Sequence, residues 1–456
     1  MGAAPSNGPM APELIRRFFD PADNFAAGRS GLKNDAGESP GGDALGAYCI
    51  LGEEQRERIA SAAMLMQRLR LAASKGDVDC GSRATDRSLG CLLGNIIGDA
   101  LGAPLEFSSV RYGVAELTGM DHEEIWHTGN YNSFNLQPGQ WTDDGSMALC
   151  IADSLLCCKG FNAYDVRQRF EAWNSHGYNN AFGRTEKPRS SVGLGGNISS
   201  SMSEWMRNGT AQTTAGDQYT SGNGSLMRNG ALPVWFRSDL DAGMMAAYAQ
   251  SRTTHAGIEA AELCRLLTFI CIHFINGAGR DFLEDVKGFE SPSYAVTCLA
   301  HGRCEEAHEQ NADPIFGGLE RRRWDWKSPN HHYCDYRAEL QPGYVGSYAM
   351  DAMSMALHCV YTTDSFVEAT LKAANLRGDA DTVCAVTGQL AGALYGATAI
   401  PDIWLARVQR FDGGTILARA LMLHSHEGVS REVALGDTAC ASAALLGTVW
   451  PPTSSE

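Results

Sequence analysis

The residues best suited to chemistry lie in two short acidic segments, each directly ahead of an apolar stretch. The first segment reads QWTDDGSMAL and the second reads RGDADTVCAV. Each contributes two aspartates and one threonine, and the six residues are Thr142, Asp143, Asp144, Asp379, Asp381 and Thr382. Carboxylate and hydroxyl oxygens are hard ligands of the kind that Mg²⁺ prefers. The two segments therefore make a candidate metal site, provided that the fold brings them together.

Helix capping is the alternative interpretation of these segments. Ser, Thr and Asp are favoured N-caps, and acidic side chains there complement the helix dipole. A cap needs one side chain, however, and each segment supplies three. Neighbouring carboxylates also repel each other unless a proton or a cation intervenes. Either segment alone is compatible with capping, but the pair favours Mg²⁺ or a similar ion such as Mn²⁺, and two ions if carboxylates bridge them.

Other polar motifs lie between the two acidic segments or before them. The stretch GDALGAPLEF ends with Glu106 and follows a small-residue helical pattern. The loop SGNGSLMRNGALP, residues 221–233, is able to present backbone N–H groups to an anion, although Gly/Asn loops are also ordinary turns. His255 stands in THAG, where it either contacts a ligand or simply packs beside a helix cap. We expect Arg228 to be structural and to pair with a neighbouring acid.

The elements that must position these residues are predicted to be helices. Apolar residues recur at helical spacing, as in Leu93, Ile97 and Leu101 or in Met147, Ile151 and Leu155, and convincing period-2 strands are absent. We predict an all-α chain with a main helical domain over residues 85–427. Residues 276–342 are irregular and charged and are predicted to be an insertion. Three further segments are predicted, namely a low-complexity N-terminal arm at 1–46, an extension with one helix at 47–84, and a peripheral tail at 428–456.

Composition narrows the class of protein. The formal net charge of −16 makes nucleic acid an unlikely general partner. We find neither an apolar run long enough to span a bilayer nor a secretory signal. The 14 cysteines fall mostly in apolar stretches, which is typical of buried thiols in a reducing compartment. We therefore expect an intracellular, most simply cytoplasmic, monomer.

Six motifs in order resemble the ADP-ribosylglycohydrolase family, which includes the dinitrogenase-reductase-activating glycohydrolase and the ADP-ribosylarginine and ADP-ribosylserine hydrolases. They are GDALGAPLEF, PGQWTDDGSMAL, GNGSLMRNGALP, THAG, GYVGSYAMDAMSMAL and RGDADTVCAVTGQLAGALYG. The resemblance runs from about Leu89 to Ala397. It implies a compact all-α domain with a central binuclear Mg²⁺ site, held by the six residues of the two acidic segments.

The resemblance also implies roles for further residues. Glu106 and Asp144 would be the catalytic carboxylates, with Glu106 as acid, base or substrate gate. A loop of five residues would lie beside the diphosphate of ADP-ribose: Thr220, Ser221, Gly222, Asn223 and Gly224. Five more residues would line the rest of the ADP-ribose cleft: His255, Gly343, Tyr344, Ser347 and Tyr348.

The chain departs from the family pattern at two places near the site. The usual double glycine before the second acidic segment reads Arg377-Gly378, so that a cation is expected either at the substrate or in solvent. Some members carry a catalytic aspartate in a loop like RSSVGLGGNIS, residues 189–199, but no acid occurs there in this chain. This shifts the expected catalytic role to Glu106 and the metal-bound aspartates.

The predicted activity is hydrolysis of the bond between ADP-ribose and an acceptor, such as an arginine or serine side chain of an ADP-ribosylated protein. Two alternatives stay open at this point. One is a catalytically silent ADP-ribose-binding protein, although all six matched ligands are present in this chain. The other is a different Mg²⁺-dependent phosphohydrolase, which would cleave a phosphate or diphosphate bond.

Overall fold

In a computed structural model, the described residues are 55–76, 79–127, 131–182, 191–217, 220–302, 324–332 and 335–426. Their α-helices are α1 Gln55–Lys75, α2 Cys80–Gly102, α3 Glu124–His127, α4 Asp143–Cys158, α5 Ala163–His176, α6 Gly196–Asn208, α7 Ala231–Trp235 and α8 Leu240–Ser251. They continue as α9 Ile258–Ile275, α10 Tyr294–His301, α11 Asp335–Leu340, α12 Ala349–Tyr361, α13 Phe366–Leu376, α14 Ala380–Tyr395, α15 Asp402–Asp412 and α16 Thr415–His424. The described residues form no strand, and an isolated antiparallel bridge joins Gly222 to Tyr348. The all-α prediction is confirmed.

Helices α2 and α14 pack backbone against backbone through glycines at four-residue spacing. A Cβ atom added to Gly94 would lie 2.1 Å from the carbonyl oxygen of Gly388, and one added to Gly98 would lie 2.2 Å from that of Cys384. At Gly102 the nearest atom would be the carbonyl oxygen of Ala380, again at 2.2 Å. Any larger residue would separate the two helices. The contact fixes the C-terminal end of α2 against the first turn of α14.

Helix α2 runs through the centre of the protein. The continuous helical stretch Cys80–Leu105 is long and apolar enough to cross a membrane by length and composition, but its apolar window is entirely buried inside the fold. It is therefore accounted for as a core helix. Around it pack α9, α13 and α16, whose buried faces are rich in Leu, Ile, Phe and Ala. This core holds the polar helix ends in fixed positions.

Helix α1, which precedes the predicted main domain, and the described part of the predicted insertion both contribute buried residues to this core. Helix α1 contacts α16 through buried residues that include Ala62, Met66 and Leu69. Helix α2 begins at Cys80, ahead of the predicted domain start at residue 85. In the described part of 276–342, Trp324 and Trp326 are buried. The arm at 1–46 and the tail at 428–456 lie outside the described residues, and the division into domains stays a prediction.

Candidate active site

The two acidic segments meet at the N-terminal ends of α4 and α14. Carboxylate oxygens of Glu106, Asp379 and Asp381 lie within 4.8 Å of one another, and so do those of Asp99, Asp144 and Asp381. Asp381 belongs to both groups. Glu106 reaches this point because the 3₁₀ turn Ala103–Leu105 directly continues α2. The fold therefore joins the ends of three chain segments around one shared carboxylate.

The acidic segments are not used for capping. Thr142 and Asp379 occupy the N-cap positions of α4 and α14, but neither side chain makes a capping hydrogen bond. The side chain of Thr142 binds Asp99 instead, and Asp143, Asp144, Asp379, Asp381 and Thr382 all line one cavity between the two helix ends. The capping interpretation is therefore wrong, and these oxygens are available to a ligand.

Asp99 is a member of the site that the sequence analysis missed. Its carboxylate accepts hydrogen bonds from the Thr142 backbone N–H at 2.9 and 3.0 Å, and from the Thr142 hydroxyl at 2.9 Å. It also accepts one from the backbone N–H of Gly145 at 2.8 Å. Because the hydroxyl of Thr142 donates its proton to Asp99, its lone pairs stay free to accept or to bind a cation. The available signal was a single aspartate inside the apolar helical stretch LLGNIIGDALG.

Burial and mutual repulsion disfavour the ionised form of these carboxylates. Burial, followed by repulsion from Asp381, raises the pKa of Asp379 to about 8. Burial and the neighbouring charge of Asp99 raise the pKa of Asp381 to about 6, and burial raises that of Asp99 to about 7. The pKa values of Glu106, Asp143 and Asp144 are raised well above the usual range, first by burial and then by Asp381. Such a cluster calls for protons or cations to offset its charge.

The residues fit a divalent cation. Oδ1 of Asp144 and Oε2 of Glu106 are buried, and neither has a hydrogen-bond partner among the described residues. A buried carboxylate oxygen without a partner is costly unless a cation or proton satisfies it. The donors are all oxygens, which suit Mg²⁺ or Mn²⁺ and disfavour zinc. The acidic groups could therefore hold a metal.

A cavity of about 690 Å³ opens above the carboxylates. This volume lies in the usual range for the binding site of a small ligand. The predicted residues that line it are Glu106, Asp143, Asp144, Asp379, Asp381, Thr382, Thr220, Gly222, Asn223, Gly224, His255, Tyr344, Ser347 and Tyr348. Three others do not: Thr142 lies behind the cavity on Asp99, Ser221 is buried beside Glu259, and Gly343 packs against the backbone of Phe107.

The loop at 220–224 is joined to the segment at 343–349. The backbone N–H of Asn223 donates to the carbonyl of Ser347 at 3.1 Å, and that of Ala349 donates to the carbonyl of Ser221 at 2.9 Å. The amide of Asn223 donates to Oδ2 of Asp379 at 3.0 Å. Asn223 thus orients a candidate metal ligand as well as lining the cavity.

His255 is a neutral side chain whose orientation is fixed by its neighbours. Arg228 donates to Oγ1 of Thr254 at 2.7 Å, and this hydroxyl lies 2.8 Å from Nδ1 of His255. Since the Thr254 oxygen accepts from Arg228, its own hydrogen is free for Nδ1, which assigns the proton of the ring to Nε2. Burial and the charge of Arg228 lower the pKa of His255 to about 3. Nε2 is therefore an uncharged donor on the cavity wall.

Arg228 differs from the expectation that it pairs with an acid. Its guanidinium is fully buried and donates to neutral acceptors, which are Gln250, Thr253 and Thr254. It also stacks on Phe170, with Cζ 4.4 Å from the ring centroid. The positive charge stays close enough to Asp143 for the two to interact electrostatically. A charge of this sign partly offsets the acidic cluster, which a sequence pattern does not reveal.

Two departures from the family pattern find their places in the structure. The described part of the glycine-rich loop lines the cavity at 193–198, and a Cβ atom added to Gly193 would lie 1.9 Å from Oδ1 of Asp143. Arg377 does not line the cavity, because its largely buried side chain turns toward Glu116 and Tyr131. Trp141 packs beneath the first turn of α4 and donates to the carbonyl of Asn179 at 3.0 Å.

The all-helical fold and the carboxylate-rich cavity at two helix ends are suited to an enzyme that acts with divalent cations. The model of one such family, described as ADP-ribosylglycohydrolase, matches residues 81–432 of this chain. The chain belongs to the ADP-ribosylglycohydrolase family. It is accordingly a hydrolase of the glycohydrolase type.

Relatives with assigned names support this membership. The chain is 30% identical over 347 residues to the ADP-ribosylarginine hydrolase Tri1 of Serratia proteamaculans, covering 76% of this chain and 81% of that protein. It is 28% identical to the ADP-ribosyl-[dinitrogen reductase] glycohydrolase of Rhodospirillum rubrum, covering 72% and 92%. A solved structure described as an ADP-ribosylglycohydrolase-related protein complex superimposes with a TM-score of 0.53 at 29% identity, covering 75% of this chain and 99% of that one.

Proposed function

We propose that the protein hydrolyses the glycosidic bond between the distal ribose of ADP-ribose and an acceptor side chain, with two Mg²⁺ ions held between the acidic segments. The observation that carries this proposal is the position of Asp381 in both carboxylate groups at the base of the cavity. Asp381 and the acidic residues beside it would hold the ions, which would supply positive charge at the base of the cavity. Arginine is the first acceptor to test, because Tri1 of Serratia proteamaculans is named for ADP-ribosylarginine.

The chain's own residues would divide the work. Asp143, Asp144, Asp379, Asp381 and the two threonine hydroxyls would hold the metal, while Asp99 and Asn223 orient these ligands from behind. When bound, Mg²⁺ supplies positive charge that anchors the ribose hydroxyls and makes a water more acidic. Backbone N–H groups of the 220–224 loop and Nε2 of His255 would donate to the diphosphate and the adjoining ribose.

Proton transfer falls to Glu106 and Asp144. Cleavage of a glycosidic bond passes through an oxocarbenium-like state and needs an acid for the leaving group and a base for the attacking water. Glu106 and Asp144 both line the cavity, and each keeps one buried carboxylate oxygen, Oε2 and Oδ1 respectively, without a hydrogen-bond partner among the described residues. Glu106 lines the cavity beside Phe107. Its carboxylate would therefore exchange a proton with the leaving group or the water.

Release of ADP-ribose from defined substrates tests this function. A panel of ADP-ribosylarginine, ADP-ribosylserine, O-acetyl-ADP-ribose and poly-ADP-ribose would be incubated with and without Mg²⁺. We expect release from at least one substrate, with loss of release when Asp144 is changed to Asn. Binding of ADP-ribose without release from any substrate would support a silent binder, and formation of AMP would support a phosphohydrolase.

A further inference from the structure

Arg377 adopts a backbone conformation that favours glycine. Its φ is 63° and its ψ is −144°, and the next residue, Gly378, also has a positive φ of 66°. A side chain larger than hydrogen persists in such a conformation only when its surroundings hold it there. The residue stands two positions before Asp379.

The side chain of Arg377 is held by an acid and an aromatic ring. Its Nη2 donates to Oε2 of Glu116, and to the hydroxyl of Tyr131 at 2.8 Å. The guanidinium lies over the Tyr131 ring, with Cζ 5.1 Å from the centroid. The Tyr131 hydroxyl in turn donates to Oε1 of Glu116 at 2.8 Å. The hydrogen bond from Arg377 is the main cause that lowers the pKa of Glu116, so the acid is ionised at neutral pH.

Glu116 lies near the end of the segment that begins with Glu106. This segment, residues 106–117, follows the 3₁₀ turn Ala103–Leu105 and contains no helix. It is hydrogen-bonded along its length to residues 375–378. The backbone bonds are Phe107 N–H to Gly378 O at 2.8 Å, Gly378 N–H to Ser108 O at 2.9 Å, and Arg111 N–H to Leu376 O at 3.0 Å. Oδ1 of Asn375 accepts from the N–H groups of Glu116 and Leu117 at 2.6 and 2.7 Å.

We propose that Arg377 is a positioning residue for Glu106. Its ion pair with Glu116 clamps the 106–117 segment against the 375–378 turn, so that the Glu106 carboxylate stays buried against Asp379 and Asp381. Phe107, the residue after Glu106, has a strained φ of 61° and a side chain that is 41% exposed. The Glu116–Arg377 pair supplies an attraction that acts on the whole segment.

Hydrogen–deuterium exchange of the full chain tests the clamp directly. Replacing Arg377 with Gly removes the side chain and suits the backbone conformation. We expect the amides of Phe107, Arg111 and Gly378 to exchange about ten-fold faster or more, while those of helix α4 are unchanged. Unchanged exchange at these three amides would overturn the proposal. This readout does not depend on the proposed function.

Two substitutions at one position separate positioning from stability. Gly relieves the backbone strain and Ala does not, so Arg377→Gly should keep a melting temperature close to that of the unaltered protein while Arg377→Ala should melt lower. If Arg377 positions Glu106, both variants lose about ten-fold or more in kcat, with a much smaller change in the Kd for ADP-ribose. A kcat that simply follows the melting temperature, with full activity in Arg377→Gly, would overturn the proposal.

Variants on the partner side complete the test. Glu116→Gln should lower kcat, and combining it with Arg377→Gly should cost less than the sum of the two single losses, because the Arg377 contact is shared while Glu116 also contacts Arg111 and Tyr131. Glu123→Gln is the matched control, since it breaks the Glu123–Arg407 ion pair nearby and should change neither exchange nor kcat. The kcat arms rest on the proposed function. If the unaltered protein releases ADP-ribose from no substrate, the proposed function is rejected and exchange alone decides the role of Arg377.

Discussion

Asp99 of helix α2 binds both the backbone N–H and the hydroxyl of Thr142, and it thereby fixes the first residue of the acidic segment at the mouth of helix α4. Asp99 belongs to α2 and Thr142 is the N-cap residue of α4, so the bond couples the packing of α2 directly to the candidate metal site. It also fixes the direction of the Thr142 hydroxyl, whose proton points at Asp99. Residues of this kind, which orient ligands from behind, commonly affect metal affinity strongly.

Asp99→Asn is therefore predicted to weaken the binding of Mg²⁺ or Mn²⁺ by about ten- to one-hundred-fold. The amide keeps one acceptor oxygen but loses the second, which serves Thr142 and Gly145. Isothermal titration calorimetry with Mn²⁺ would measure the change. Asp86→Asn is the control, because Asp86 is a buried acid of the same helix whose bonds go to Thr398. Equal losses in both variants would contradict an orienting role for Asp99.

Helix α2 is predicted to tolerate alanine at Gly81 but not at Gly94. Gly94→Ala would place a Cβ atom 2.1 Å from the carbonyl of Gly388 and should cost about 1–3 kcal/mol of unfolding free energy. Gly81→Ala meets only the side chain of Asp79 at 3.5 Å and should be neutral or stabilising by up to about 1 kcal/mol. Urea unfolding of both variants checks this. A mild effect of Gly94→Ala would show that the two helices do not depend on backbone contact.

The stability of the metal-free protein should fall as pH rises, and the stabilisation by Mg²⁺ should grow over the same range. In the metal-free protein the pKa of Asp379 is about 8, that of Asp99 about 7 and that of Asp381 about 6, against 3.8 for an ordinary aspartate. Because these folded-state pKa values are raised, the unfolded chain loses its protons first. The metal-free fold therefore loses stability as pH rises from about 4 to about 8.

Mg²⁺ should reverse this loss, since it binds the ionised carboxylates. We expect the melting temperature of the metal-free protein to fall between about pH 5 and about pH 8, and the increase caused by Mg²⁺ to grow over the same range. Scanning calorimetry with EDTA or Mg²⁺ measures both effects. An increase of the same size at both pH values would indicate that Mg²⁺ does not bind the buried aspartates.

His255 should act as a neutral hydrogen-bond donor. His255→Ala is predicted to weaken ADP-ribose binding by about ten-fold, which corresponds to the loss of one hydrogen bond to a charged acceptor. His255→Gln retains an N–H donor and should lose less. Titration of both variants with ADP-ribose gives the comparison. If the two variants lose the same affinity, the imidazole contributes by packing and not by donation from Nε2.

The acidic segments and the helical class could be predicted from the sequence because both are local patterns. Asp379, Asp381 and Thr382 lie within four consecutive residues, and helical periodicity is visible within each element. Asp99 was missed because its role depends on how α2 packs against α4. The partner of Arg377 was also beyond reach, since Glu116 lies far away in the chain and the strained backbone of Arg377 is a product of the folded turn.

Arg228 shows a further limit of sequence reasoning. A buried arginine is expected to have an acidic partner, but here neutral oxygens and an aromatic ring surround the guanidinium. The acid whose charge acts on Arg228 is Asp143, at a distance and without a hydrogen bond. Pairing rules act between direct neighbours, whereas this interaction depends on how the fold places the two residues.

Hydrolysis in ¹⁸O-labelled water tests the central claim most directly. An ADP-ribosylated substrate that the protein accepts would be incubated with enzyme and Mg²⁺, and the products would be examined promptly by mass spectrometry with fragmentation. The account predicts intact ADP-ribose with one ¹⁸O atom in the distal ribose, no label on phosphate, and no product with the Asp144→Asn variant. AMP, or ¹⁸O on a phosphate group, would contradict it.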